Sequence, residues 1–238
     1  MRDGKKELLF SRPVLLFSRN GGETMTTHRF YFAGALFCHK ELIGNHLLAE
    51  AIRERSGGKY QANLPQKEEN QLRPTPLEIR DNDFRLLLDS SLALFNFDGT
   101  ELDSGTVVEF MAARFLQIPC VLFRTDFRSA GDQNADGEAW NLMCSGYPRT
   151  RVRSFGAMEP YQRIFRNAAS TEEALRTYYA ELADGLIEDF DTLLALPSPF
   201  ASEEEALKVY RYFLTVCGGT LPETVSETTL REIIARRG

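Results

Sequence analysis

The sequence has few of the residues that build metal centres and disulfide frameworks. It contains three histidines and four cysteines among 238 residues, and no two cysteines form a CxxC pair. Widely spaced cysteines of this kind are typical of reduced thiols in a cytoplasmic protein. His39 and His46 fall on one predicted helix, but no third ligand accompanies them. We therefore predict neither a metal site nor a cofactor.

The sequence also lacks an excess of positive charge and any long apolar run. Its 28 Lys and Arg stand against 34 Asp and Glu, for a formal net charge of -6. A nucleic-acid polymer needs clustered cations, so none is expected as a partner. No apolar run approaches the roughly 20 residues of a membrane span, so no membrane partner is expected. Residues 1–27 are interpreted as a disordered leader, or the first 24 of them as the product of an over-long start site.

Four apolar strand-like runs alternate with helix-like segments between residues 28 and 158. The runs are RFYFAGALF, KYQANLP, LALFNF and PCVLFR. This alternation predicts an α/β domain with a parallel sheet covered by helices on both faces. Ligands of such sheets lie beyond the carboxyl ends of the strands, where Gly34 and Asp98 fall. Both residues are predicted substrate contacts.

The sequence changes in character beyond this predicted domain. STEEALRTYYAELADGLIEDFDTLLAL begins with Ser170 and Glu173 at capping-box spacing and carries a long apolar stripe. SEEEALKVYRYFL repeats the capping pattern with Ser202 and Glu205. We predict that residues 159–238 form a helical extension that packs on the sheet domain or on a partner subunit.

The turn after the third predicted strand, DGTELDSGT, is acidic. It carries Asp98, Glu101 and Asp103 but no cation. A phosphate cradle places backbone N–H groups, and often a lysine, around an anion, and three carboxylates would repel that anion. A receiver-type phosphoacceptor is also disfavoured, because the first strand is not followed by an acidic pair that could hold Mg²⁺. The turn favours a hydroxyl-rich or cationic ligand.

Glu109 is the one carboxylate within the apolar helix predicted over residues 106–117. Thr106 and Glu109 match the spacing of a capping box, which stabilises a helix by roughly 0.5–2 kcal/mol. The second interpretation makes Glu109 a nucleophile that the helix dipole keeps ionised. Both interpretations can hold together in a resting enzyme.

Several of these segments together resemble the nucleoside 2-deoxyribosyltransferase family. The resemblance covers about residues 29–146 and rests on YFAGALF, LPQ, IRDNDFRLLLDSSLALFNFDGTELDSGTVVEFMAA and AWNLM. It implies a flavodoxin-like, doubly wound parallel sheet. It also implies nucleobase exchange on 2′-deoxyribonucleosides through a covalent sugar–enzyme intermediate. The expected partners are 2′-deoxyribonucleosides, free nucleobases and further copies of the chain, in a homo-oligomer with shared active sites.

The resemblance also implies roles for individual residues. Glu109 would be the nucleophile, Asp83 would protonate the leaving base and Tyr31 would orient the Glu109 carboxylate. Asp103 would hold a sugar hydroxyl. The residues expected to reach into an adjacent subunit lie in AWNLM and are Asn141 and Met143. The structural alternatives are a core aromatic for Tyr31, a solvated acid for Asp83 and a loop cap for Asn141.

Three questions stay open from the sequence. An N-glycosidase, in which water resolves the intermediate, and a non-catalytic nucleoside-binding module both remain alternatives to a transferase. Relatives that hydrolyse nucleoside 5′-monophosphates carry a small hydroxyl residue where Asp103 stands, so its carboxylate favours free nucleosides. The chain also continues well beyond the family's short members, and their C-terminal tyrosine, which helps close the site, cannot be transferred to it. The extension is therefore open to interpretation as a lid, an oligomer interface or a determinant of base preference.

Overall fold

The computed structural model describes residues 17–18, 24–67, 74–129, 131–134 and 137–237. Most of the predicted leader lies outside these residues. Its described part is a short antiparallel pair, β1 (Phe17–Ser18) with β2 (Thr24–Met25).

Five parallel strands form the central sheet. They are β3 (His28–Ala33), β4 (Tyr60–Asn63), β5 (Leu92–Asn96), β6 (Cys120–Arg124) and β7 (Thr150–Ser154). The spatial order is β4-β3-β5-β6-β7, and every neighbouring pair is parallel. This is the flavodoxin-like order, in which the chain winds in both directions from the first strand. The flavodoxin-like fold implied by the resemblance is therefore confirmed.

Helices cover the sheet and continue to the C-terminus. They are α1 (His39–Arg55), α2 (Pro76–Asp89), α3 (Ser104–Phe115), α4 (Met158–Asn167), α5 (Thr171–Leu194), α6 (Glu203–Cys217), α7 (Leu221–Thr224) and α8 (Glu227–Ala235). The hydroxyls of Ser170 and Ser202 accept from the backbone N–H of Glu173 and Glu205, as the capping pattern predicted. No helix in the described part of the chain is both long and apolar enough to cross a membrane.

Two hydrophobic clusters lie on opposite faces of the sheet, because successive residues of a strand point to opposite sides. Tyr31 and Ala33 of β3 join the cluster made with α2, α3, α6, α7 and α8. Phe30 and Phe32 join the cluster made with α1 and α5. The C-terminal helices therefore complete the core on both faces.

The apolar pattern did not predict β7. Its sequence, TRVRS, contains no buried residue, so it carries none of the apolar signature of a central strand. Ion pairs take the place of apolar contacts here. Arg151 Nε donates to Asp189 Oδ1 at 2.5 Å, and Arg153 Nε donates to Oδ2 at 2.6 Å. Asp189 of α5 thus fixes the edge strand of the sheet.

Candidate active site

A cavity of about 1000 Å³ opens at the carboxyl edge of the sheet. Residues from the loop after β3, from α2, from the start of α3 and from α7 line it. Ile79 of α2 lies 37% exposed at this cavity. The predicted site residues among the lining are Gly34, Asp83, Asp103 and Glu109.

Asp103, and not Glu109, caps the helix α3. Asp103 Oδ2 accepts from the backbone N–H of Thr106 at 2.7 Å and from its hydroxyl at 2.8 Å. The helix begins at Ser104 rather than near residue 106, so Glu109 lies in the second turn. The capping-box interpretation of Glu109 is wrong, because Asp103 already occupies the capping position.

Tyr31 holds the Glu109 carboxylate. The Tyr31 hydroxyl donates to Glu109 Oε1 at 2.7 Å, and the Tyr31 side chain is fully buried. Burial raises the pKa of Tyr31 well above its usual value, and the charges of Glu109 and Asp83 raise it further. The phenol therefore keeps its proton and acts as a donor. Tyr31 is at once a core aromatic and the group that orients Glu109.

Burial also dominates the ionisation of Glu109. Desolvation raises the pKa of Glu109 to about 7, the hydrogen bond from Tyr31 lowers it, and the charges of Asp83 and Asp103 raise it. The helix dipole acts mainly within the first turn, and Glu109 lies beyond that turn. Burial therefore opposes the ionisation of Glu109, and the helix dipole, which the sequence-based expectation invoked, is not the main influence on its pKa.

Among the ionisable side chains that line the cavity, carboxylates outnumber cations. Asp83 on α2 acts electrostatically on both Tyr31 and Glu109. Arg85, a cation in the same lining, donates to Asn82 Oδ1 at 2.5 Å. Among the described residues, no group of three or more His, Cys, Asp or Glu could hold a metal ion. Several carboxylates around one cavity stabilise positive charge that develops on a bound molecule.

Gly34 brings the chain close to the end of β5. A Cβ atom at Gly34 would lie 3.0 Å from Cβ of Asn96, which is tighter than ordinary contact. A side chain at this position would push the loop after β3 away from the end of β5. Gly34 therefore contributes to the shape of the site by being small.

Asp98 does not line the cavity. One carboxylate oxygen, Oδ1, accepts from the backbone N–H groups of Thr125 and Asp126 at 2.5 and 2.8 Å. The other, Oδ2, accepts from the Thr125 hydroxyl at 2.7 Å. Asp98 lies at the predicted sheet edge, but its oxygens join the loops after β5 and β6. The structure thus gives Asp98 a structural role in place of the predicted substrate contact.

Asn141 caps a short helical turn, Leu142–Cys144, that contains Met143, and both residues lie outside the cavity lining. Asn141 Oδ1 accepts from the backbone N–H of Met143 at 2.9 Å, as the loop-cap interpretation expects. Met143 is 68% exposed. Their predicted reach into a neighbouring subunit stays a prediction.

Sequence reasoning missed the part of the cavity that α7 supplies. Thr220, Leu221 and Thr224 line the cavity, and Asp81 of α2 binds Thr220. Gly218 and Gly219 indicate a turn after α6 in the sequence. Nothing in the local pattern indicates that the segment after this turn contacts α2.

A model of the family described as nucleoside 2-deoxyribosyltransferase matches residues 30–159. None of the curated proteins matches the chain. Among solved structures, a conserved protein from Enterococcus faecalis V583 is similar at TM-score 0.44 and 22% identity, over 70% of this chain and 99% of that one. A 2-desoxiribosyltransferase from Leishmania mexicana is similar at TM-score 0.44 and 17% identity, over 60% and 99% of the two chains. A 2-deoxyribosyltransferase from Bacillus psychrosaccharolyticus is similar at TM-score 0.37 and 20% identity, over 49% and 79%.

Proposed function

The chain belongs to the nucleoside 2-deoxyribosyltransferase family, and on that premise we propose that it exchanges nucleobases on 2′-deoxyribonucleosides. One observation carries the proposal. The Glu109 carboxylate lies in a cavity lined by Asp83 and Asp103 and is oriented by the Tyr31 hydroxyl at 2.7 Å. A carboxylate held by one oxygen in an acidic cavity has the arrangement that a glycosyl nucleophile needs.

The first half-reaction forms a bond between Glu109 and the sugar. Tyr31 holds Oε1, so Oε2 is the oxygen that attacks C1′ of the deoxyribose. The C1′–N bond breaks as the C1′–O bond forms, and its electron pair goes to the leaving base. Positive charge grows on the sugar in the transition state, and the neighbouring carboxylates of Asp83 and Asp103 stabilise it. The product is a deoxyribosyl ester of Glu109.

Asp83 supplies the proton that the leaving base needs. Repulsion from an ionised Asp83 contributes to the raised pKa of Glu109, and in the proposed resting state one proton is held by this pair of carboxyl groups. When Asp83 holds that proton, the repulsion disappears and Glu109 is ionised for attack. Asp83 then protonates the base nitrogen as the base departs. In the second half-reaction, a new base gives its proton to Asp83 and displaces Glu109 from C1′.

The acidic lining favours free nucleosides over nucleotides. A 5′-phosphate would meet the negative charges of Asp103 and Glu109, whereas a sugar hydroxyl can donate to a carboxylate. The cap at α3 uses Asp103 Oδ2, so Oδ1 is the oxygen assigned to the sugar. Asn141 and Met143 are assigned to the site of a neighbouring subunit in a homo-oligomer. Nucleoside salvage in the cytoplasm is the matching context, and the four free thiols accord with it.

Base exchange in solution tests the proposal directly. The protein is incubated with deoxyinosine, with and without adenine, and the products are separated by chromatography. New deoxyadenosine is expected in the presence of adenine, and mass spectrometry of the quenched enzyme is expected to find deoxyribose on Glu109. Hypoxanthine without deoxyadenosine would replace the transferase with an N-glycosidase. Absence of both products would reject the proposed activity for these substrates.

A further inference from the structure

One wall of the cavity comes from beyond the region that the family model matches. The match ends at residue 159, whereas Thr220, Leu221 and Thr224 line the cavity. The chain turns after α6 through Gly218 and Gly219, whose φ angles are 60° and 63°. Glycine adopts this left-handed conformation without the strain that a side chain would add. We call residues 220–224 the α7 wall.

Asp81 of α2 fixes the α7 wall. Asp81 is 4% exposed, and its Oδ2 accepts from the Thr220 backbone N–H at 2.6 Å and from the Thr220 hydroxyl at 2.8 Å. Arg80 Nη2 donates to Asp81 Oδ1 at 2.6 Å and to the Cys217 carbonyl at 3.1 Å. Burial opposes ionisation of Asp81, but the hydrogen bonds from Thr220 and Arg80 outweigh it and lower its pKa. Asp81 therefore remains a charged acceptor at neutral pH.

The α7 wall offers apolar groups to the cavity. The Thr220 hydroxyl donates to Asp81, and the Thr224 hydroxyl donates to the Thr220 carbonyl at 2.9 Å. With these hydroxyls engaged, the threonine methyl groups are the apolar atoms of the wall that remain for a ligand, since Leu221 is 1% exposed and packs in the core. Such a surface fits the flat face or edge of a nucleobase better than it fits sugar hydroxyls.

We propose that the α7 wall bounds the nucleobase subsite and that Asp81 is the positioning residue that holds it there. The inference rests on the proposed function, in which Asp83 protonates the leaving base and so lies beside it. Asp81 and Asp83 both line the cavity from α2. A segment bonded to Asp81 is therefore at the base end of the cavity, while Asp103 at the start of α3 is at the sugar end. Among the roles open for the C-terminal extension, this one makes it part of base recognition.

Two conservative variants test the α7 wall. Asp81→Asn keeps the shape of the side chain but sets an amide N–H₂ against the donors of Thr220 or Arg80. Thr220→Val keeps the shape and removes the hydroxyl. We expect the KM for the acceptor base to rise roughly tenfold in Asp81→Asn and roughly threefold in Thr220→Val. The KM for the donor nucleoside is expected to rise by a similar factor, because its base occupies the same subsite before it leaves. A rise in KM that exceeds any fall in kcat indicates lost base binding.

Ser226→Ala is the matched control. It removes a helix cap in the same C-terminal region, since Ser226 caps α8 through the backbone N–H of Thr229 at 3.1 Å, but Ser226 does not line the cavity. The control loses the stability that one helix cap contributes and should keep the wild-type KM for the base. A folded Asp81→Asn and a folded Thr220→Val that both keep the wild-type KM for the base, in a wild type that exchanges bases, would overturn the α7 wall and leave the proposed function intact.

If the wild type does not exchange bases, calorimetric binding of adenine still tests the α7 wall separately from the proposed transferase activity. Roughly threefold weaker adenine binding in Thr220→Val than in wild type and Ser226→Ala would support the α7 wall without any turnover. Equal binding in all three proteins, or no binding to the wild type, would overturn it.

Discussion

The surroundings of two carboxylates, Asp189 and Glu109, are opposite in charge. Asp189, 1% exposed beneath the edge strand β7, receives one hydrogen bond from each of Arg151 and Arg153. Glu109, on the other side of the sheet, receives a hydrogen bond from the neutral Tyr31 and has two further acids nearby. Charge is compensated in the first region and left uncompensated in the second.

The difference separates a charge-compensated carboxylate from the one to which the proposed function assigns the attack on the sugar. A buried ion pair must recover the cost of removing both charges from water, and Asp189 does so with two hydrogen-bonded arginines. At Glu109 no cation among the described residues offsets the cost of removing the charge from water, and its pKa is therefore raised to about 7. An uncompensated carboxylate is ready to bind a cationic transition state, because it has no cation to release first. The comparison predicts that changes in the two regions affect different properties.

The largest effect is expected from Glu109→Gln. This variant removes the nucleophilic oxygen but keeps the size of the side chain, so base exchange should fall by about 10³-fold or more. The folded structure and nucleoside binding should remain. Steady-state exchange assays and calorimetric nucleoside binding check both expectations, and activity within a few-fold of wild type would remove Glu109 from its assigned role.

The same variant should alter the pH dependence of stability. The pKa of Glu109 is raised from 4.5 to about 7 by burial in the folded state, so the protonated carboxyl is favoured there. Stability from this group is full below pH 4.5 and is lost as pH rises through about 7, at a cost of at most about 3 kcal/mol. Glu109→Gln avoids that cost. Its free energy of unfolding should therefore equal that of wild type near pH 4 and exceed it near pH 8, and urea unfolding at both pH values measures the difference.

Asp189→Asn should show the converse pattern. The amide cannot compensate Arg151 and Arg153, but both arginines are partly exposed and keep some hydration, so we expect a loss of about 2–3 kcal/mol. Activity per folded molecule should not change. Asp184→Asn on the same helix is the control, because Asp184 pairs with Arg55 at the surface, where solvent screens the two charges and the pair contributes little to stability. Equal stabilities for the two variants would show that burial does not distinguish these ion pairs.

The smallest effect is expected from Tyr31→Phe, which tests the link between the core and the site. Loss of the hydroxyl removes the hydrogen bond that lowers the pKa of Glu109, so this pKa should rise above about 7. The acid limb of kcat/KM against pH should move to higher pH, with roughly tenfold lower activity at pH 7. Much of that loss should recover at alkaline pH. A uniform loss at every pH would instead assign Tyr31 to positioning alone.

Local sequence patterns predicted most of the fold. The four apolar strands and the helices that begin at Ser170 and Ser202 follow from periodicity and capping, which act over a few residues. The edge strand β7 escaped because ion pairs from α5 replace its apolar contacts, and α5 lies well beyond it in sequence. A contact between two segments that are distant in sequence cannot be predicted from the pattern of either segment alone.

The candidate site divides in the same way. The sequence by itself determined that an acidic turn stands at the carboxyl edge of a parallel sheet and that Glu109 follows it. Only the tertiary structure decided that Asp103 caps α3, that Asp98 joins two loops and that the α7 wall returns to Asp81. It also decided the ionisation of Glu109, because desolvation depends on every atom packed around a group, and a helix position reports only its neighbours along the chain.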